Sequence, residues 1–158
     1  KEINSIIGEY LLKNGHSELC DMYDLNPFEV NVQSLNRTFA DKIFAIADYA
    51  LNGNIAKHSR HIYDLYKLYP HINLNEEFNQ LFVKIANDRK NNKMCESAQS
   101  LDILLTTLKR IVDEDIYKLD FESITYYLLY ETITYQELID QLKIIIKYLE
   151  CSLETRAF

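Results

Sequence analysis

Between Arg37 and Leu68 the chain reads RTFADKIFAIADYALNGNIAKHSRHIYDLYKL, two helical patterns meeting around one glycine, and no other stretch limits the fold as much. Phe39, Ile43, Ile46, Ala47 and Ala50 recur at helical spacing, so one face of the first half has to be buried. Lys42 lies beside that face. Asn52, Gly53 and Asn54 then stop the helix, because glycine takes the left-handed conformation past a helix end at little steric cost. Ile62, Leu65, Tyr66 and Tyr69 restart the pattern until Pro70 ends it. The spacing predicts an antiparallel helix pair. Arg60, His61 and Asp64 fall on its less apolar side, so the pair offers Lys42 together with an arginine, a histidine and an aspartate. On spacing alone, Arg60 and Asp64 also fit an ordinary surface ion pair worth about 0.3 to 0.5 kcal/mol. A metal site at His58, His61 and Asp64 lacks its further ligands.

With only three glycines and two prolines in 158 residues, helices should dominate. A 47% hydrophobic content at this length is enough for one globular domain with a core. The formal net charge of -7 excludes a generally nucleic-acid-coating surface, so a nucleotide or RNA has to be met by a local basic patch. Lys57, His58, Arg60 and His61 form the best such patch, and Arg89, Lys90 and Lys93 the next. Cys20, Cys95 and Cys151 are widely spaced and outside any CxxC pattern, which points to neither zinc nor disulfides and fits a cytoplasmic location. No apolar run approaches the roughly 18 residues of a membrane span.

Ile3, Ile6, Ile7, Tyr10 and Leu11 predict a first amphipathic helix ended by Asn14 and Gly15, with Ser17 capping a short second one. FEVNVQSL alternates Phe28, Val30 and Val32 inward with Glu29, Asn31 and Gln33 outward, the period of a half-buried strand. Everything after Pro70 reads as helix. Asn75 opens a helix bearing Phe78, Leu81, Phe82 and Ile85, followed by a surface connection from Asn87 to Lys93. Ser100 caps the next, with Leu104, Leu108 and Ile111. Asp113, Glu114 and Asp115 form a solvated bend. Asp120 is expected to cap a helix whose Tyr126, Tyr127 and Tyr130 pack into the core rather than stack on bases. Thr134 and Glu137 make a capping box for a last helix through Leu138, Leu142, Ile145 and Leu149, fraying from Glu150.

The segment RTFADKIFAIADYALNGN followed by SRHIYDLYKL resembles the nucleotidyltransferase AbiEii/AbiGii toxin family. Members carry Arg-Thr-Phe, an acidic residue and Lys, then Arg-His or Arg-Asp before Tyr-Asp-Leu-Tyr. YDLNPFEVNVQSLNRTF resembles the strand that feeds this helix in the family, and DEDIYKLDF and YETITYQELIDQLKII resemble its closing helices, so the resemblance covers nearly the whole chain. It implies the mostly helical C-terminal part of an α+β nucleotidyltransferase fold. Residues 1–35 would be a remnant of, or connection to, the nucleotidyltransferase core, and 36–158 a helical domain.

The resemblance further implies the toxin of a type IV toxin-antitoxin or phage-abortive-infection system. Such an enzyme uses a nucleoside triphosphate with magnesium, transfers a nucleotide to an acceptor such as tRNA, and is partnered by an AbiEi-type antitoxin. By the same resemblance Lys42 reaches the nucleotide phosphates and Asp64 completes the active site, while Arg37, Arg60 and His61 are accompanying nucleotide-binding positions. Asp41 stands where many relatives have Glu. The Gly-Ser or Gly-Thr loop and Asp-x-Asp strand that hold magnesium in this superfamily are not in the sequence. Gly15, Ser17, Asp21 and Asp24 do not replace them, because aspartates at i and i+3 of a strand diverge. No metal ligand is assigned. The expectation is a missing N-terminal catalytic half, without which the chain is inactive. A reading of a different class is a non-catalytic helical protein-interaction module that keeps the family scaffold. A Gly-Ser and Asp-x-Asp block just before Lys1 in the native gene would favour the enzyme.

Overall fold

A computed structural model describes residues 1–153 and divides the chain into two compact units, Lys1–Ser34 and the remainder from Leu35. The first unit contains β1 (Glu2–Ile3), α1 (Ile6–Lys13), α2 (Ser17–Met22) and β2 (Phe28–Glu29). Ser5 caps α1, its hydroxyl accepting from the Gly8 N–H at 2.9 Å. Gly8 has a steric reason: a Cβ there would run into Asn4 Oδ1 and the Leu25 carbonyl. Ser17 starts α2 without capping it. The strands pair antiparallel, with Glu2 opposite Glu29 and Ile3 opposite Phe28.

Further expectations change in this unit, where Ile3, read as part of the first helix, lies in β1. The strand foreseen from Phe28 onward shortens to two residues, because its only ladder partner among the described residues is β1, itself two residues long. The apolar stripes are present but uncovered: Ile6 is 89% exposed, and Phe28 and Val32 are each 56% exposed. Alternation and periodicity state which side chains share a face; they do not supply what covers it.

The second unit is mostly α, as expected. Its centre is α3 (Leu35–Leu51), which packs against α4 (Arg60–Leu68), α5 (Glu76–Arg89) and α6 (Leu101–Asp113). After α7 (Lys118–Ser123), the long α8 (Tyr135–Leu153) closes over α4 and α6. Phe39, Ile43, Phe44 and Ile46 of α3 are fully buried among Ile62, Leu65, Phe78, Phe82, Leu104 and Leu108. The Phe44 and Phe82 rings stack at 4.8 Å. Tyr117 reaches through this core to donate to the Ile46 carbonyl at 2.7 Å. Asn75 and Ser100 cap α5 and α6 as their sequence positions require. Thr134 and Glu137 form the reciprocal capping box of α8. Pro70 sits in a 3₁₀ turn, Tyr69–His71, that ends α4.

Three readings of the second half need correction. The polar connection begins later than Asn87, since α5 runs to Arg89, whose guanidinium donates to Asp41 at 2.7 Å and lies 5.4 Å from the centre of the Phe44 ring. Helix α7 stops at Ser123 and a 3₁₀ turn, Thr125–Leu128, follows, so the tyrosines lose their 3.6-residue spacing. Tyr127 is 76% exposed and Tyr130 wholly so, while Phe121, Ile133 and Tyr135 fill the core instead. Glu150 does not fray: α8 continues to Leu153, and Glu150 pairs with Lys109 at 2.6 Å. The rest of the expected frayed tail lies outside the described residues. No helix among the described residues is long and apolar enough to cross a membrane.

Candidate functional site

The α3–α4 connection fixes where the charged side chains meet. Gly53 takes φ +68°, and the Asn52 amide donates to the Asp48 carbonyl at 2.7 Å, closing α3. The start of α4 is held from outside. Lys57 is left-handed, with φ 67°, and its N–H donates to Asp120 Oδ1 at 2.6 Å; the Ser59 N–H donates to Asp120 Oδ2 at 3.0 Å. Ser59 Oγ meets Thr125 Oγ1 at 2.7 Å. Asp120 therefore caps α4 rather than its own helix. Burial opposes its charge, but the Ser59 and Lys57 groups around it more than offset that and hold its carboxyl below the ordinary value.

Given that start, the two helices run antiparallel: Tyr49 stacks on His58 with ring centres 3.5 Å apart, and Lys42 lies one layer further along against His61 and Asp64. Lys42 Nζ donates to Asp64 Oδ2 at 2.7 Å and stands 3.0 Å from His61 Nδ1. An ammonium has no acceptor, so the lone pair of Nδ1 faces it. His61 Nδ1 is also 3.5 Å from Asp64 Oδ2, a longer contact that the Lys42 geometry leaves secondary. Partial burial works against the Asp64 charge, yet the Lys42 ammonium paired with it holds its carboxyl below the usual range. An open depression of about 330 Å³ fronts this pair, lined by Thr38, Lys42, Tyr63, Asp64, Lys67 and Leu68.

Of the residues singled out by sequence, Lys42, His61 and Asp64 come together. Arg37 does not join them; it pairs with Asp41 at 3.3 Å, and Asp41 in turn holds Arg89. Arg60 is exposed and joins none of the ion pairs found among the described residues. The foreseen basic patch is dispersed. His61 is buried, and His58 lies flat on Tyr49, its pKa lowered first by burial and also by the neighbouring Arg60 charge.

Sequence reasoning missed Glu131, which accepts from the Tyr63 hydroxyl at 2.7 Å and pairs with Lys67 at 3.1 Å. That hydrogen bond is the main reason the Tyr63 phenol is pushed up to about 12. Only the i, i+4 spacing of Tyr63 and Lys67 hinted that one group would bridge them. Among the described residues no three His, Cys, Asp or Glu side chains are grouped to hold a metal ion.

The family model described as the nucleotidyl transferase AbiEii toxin of type IV toxin-antitoxin systems matches residues 2–141. The chain belongs to the AbiEii toxin family. The match runs from β1 into α8 and so takes in both units and every residue of the depression. The family is one of nucleotidyl transferases and of type IV toxins, so a nucleotide substrate and an antitoxin come with membership. No curated protein and no solved structure matches the chain.

Proposed function

We propose that the α3–α4 depression is the phosphate-handling wall of a nucleotidyl transferase active site. In such a transfer an acceptor hydroxyl attacks the α-phosphorus of a nucleoside triphosphate. The new P–O bond forms as the bond to the β-phosphate breaks, pyrophosphate leaves, and the hydroxyl proton passes to solvent or a base. Charge concentrates on phosphate oxygens throughout, and a fixed ammonium stabilises it as a compact positive point. The observation that carries the reading is the Lys42–Asp64 contact of 2.7 Å at an open depression, in a chain of this family.

A carboxylate whose pKa is lowered is a poor proton acceptor near neutral pH. Asp64 is therefore assigned to positioning Lys42 and the nucleotide, with His61 Nδ1 accepting from the same ammonium beside it. Arg37 and Arg60 lie outside the pair and are given supporting charge only. The described residues do not fit the magnesium that the resemblance implies: no trio of ligands is present, and the Asp64 carboxylate is tied to Lys42.

The acceptor is an RNA hydroxyl such as the 3′ end of tRNA, and the antitoxin an AbiEi-type protein. The family's toxin character supports an acceptor whose modification stops growth. The test is to incubate the product of the native gene with each α-labelled nucleoside triphosphate and total tRNA. Label entering RNA is the expected result. No incorporation from any of the four overturns the reading and leaves a helical interaction module.

A further inference from the structure

Two ammonium groups face the depression, one from each helix, and each has a carboxylate. The two pairs differ in how firmly they are held. Lys42 is only 26% exposed and is engaged by both Asp64 and His61. Lys67 and Glu131 are 49% and 43% exposed, and Glu131 belongs to the connection between the Thr125–Leu128 turn and α8 rather than to a helix. An exposed ion pair of that kind is solvated and screened and contributes little to stability. A triphosphate carries several charges, and each of its oxygens accepts from an ammonium in a charge-assisted bond about twice as strong as a neutral one.

We infer that Lys67 is a second phosphate-binding lysine of this depression, and that Glu131 is its built-in counter-ion, displaced when a triphosphate binds. The inference rests on the reading of Lys42 above. With Glu131 in place, two ammonium groups face two carboxylates and the depression is neutral. Once Glu131 leaves, the balance is one positive charge. The same departure releases the Tyr63 hydroxyl, which Glu131 otherwise holds, and makes it a donor to a phosphate oxygen. Glu131 is followed directly by Thr132 and preceded by the exposed Tyr130, so loading the depression also unpins the tyrosine-bearing connection from α4. The ligand is the triphosphate group of the nucleotide donor.

The test is titration of this chain with inorganic triphosphate, followed by amide and phenol NMR signals, for the wild type and the Lys67→Gln, Glu131→Gln and Lys42→Gln variants. Lys67 and Glu131 are half exposed, and helical circular dichroism checks that their variants fold. Lys67→Gln should weaken binding about tenfold, the loss of one charge-assisted hydrogen bond. Glu131→Gln should tighten it roughly two- to fivefold by removing the competitor, and wild-type signals from Tyr130 to Thr132 should move on titration. A nucleoside triphosphate should compete for the same site. No binding by the wild type, unchanged affinity in Lys67→Gln, no tightening in Glu131→Gln, or a nucleoside triphosphate that does not compete each overturns the inference. If Lys67→Gln weakens binding and Lys42→Gln does not, the Lys67 site stands and the assignment of Lys42 falls.

Discussion

Ile6 and Ile43 both belong to the apolar stripe of an amphipathic helix, yet Ile6 is 89% exposed and Ile43 is fully buried. Within its own unit α1 packs against α2, only six residues long, and the two strands, of two residues each, pair with one another. In the other unit α3 is met by α4, α5 and α6, so each of its apolar rows finds an opposing row. An apolar stripe becomes a core only when enough other faces close over it. The polar site follows the same rule: Lys42 and Asp64 stand 2.7 Å apart on α3 and α4, which pack against each other in the shared core.

The comparison can be broken first at the core. Phe82→Ala should cost about 3 to 5 kcal/mol in urea unfolding, since its ring is fully buried against Phe44 and Phe78. Ile6→Ala should change stability by less than about 0.5 kcal/mol. Similar losses from both would mean that the two units share one cooperative core. Asp120→Ala comes next, at about 2 to 3 kcal/mol, because it orphans the backbone N–H groups of Lys57 and Ser59 at the start of α4. A loss below about 0.5 kcal/mol would show that α4 starts correctly without that carboxylate.

Gly8→Ala sharpens the comparison from the other side. Overpacking against Asn4 and Leu25 should cost about 1 to 3 kcal/mol. The loss should be confined to the first unit: amide exchange should speed up between Ile6 and Leu25, with protection from α3 to α8 unchanged. Accelerated exchange throughout would contradict the separation. The smallest effect concerns pH. The folded carboxyl of Asp64 lies below the ordinary 3.8, so the native state binds its proton less readily than the unfolded chain does. Its stabilisation is complete above pH 3.8 and is lost as pH falls through the lower folded value. Asp64 is 36% exposed, which limits the contribution to no more than about 1 kcal/mol. Asp64→Asn should flatten the acid limb of the stability profile by that amount. An unchanged acid limb would mean that the Lys42 pair adds nothing to folding.

Local signals were readable, and long-range ones were not. The caps at Asn75, Ser100 and Thr134–Glu137 lie within three residues of the groups they satisfy, and sequence reading placed them correctly. The helix pair around Gly53 was equally legible, and its spacing set Lys42 near Asp64 and His61. Asp120 acts across more than sixty residues, on backbone groups that carry no sequence signature. Glu131 reaches Lys67 across a similar distance. Arg89 looked like one more charge in a polar run, because nothing local announces the Asp41 carboxylate or the Phe44 face that it meets. The exposure of Tyr127 and Tyr130 was hidden for another reason: the helix breaks at Ile124, a residue whose type gives no warning of it.

The account stands most directly on Lys42 and Asp64 as the pair that handles nucleotide phosphates. The measurement that tests it is the rate of nucleotidyl transfer by Lys42→Gln and Asp64→Asn in the product of the native gene, read beside each variant's melting temperature. The account predicts a rate loss for Lys42→Gln on the order of a hundredfold or more, the usual cost of one fixed electrostatic donor. Asp64→Asn should also be impaired, and both variants should melt within a few degrees of the wild type. Undiminished transfer in either folded variant would contradict it.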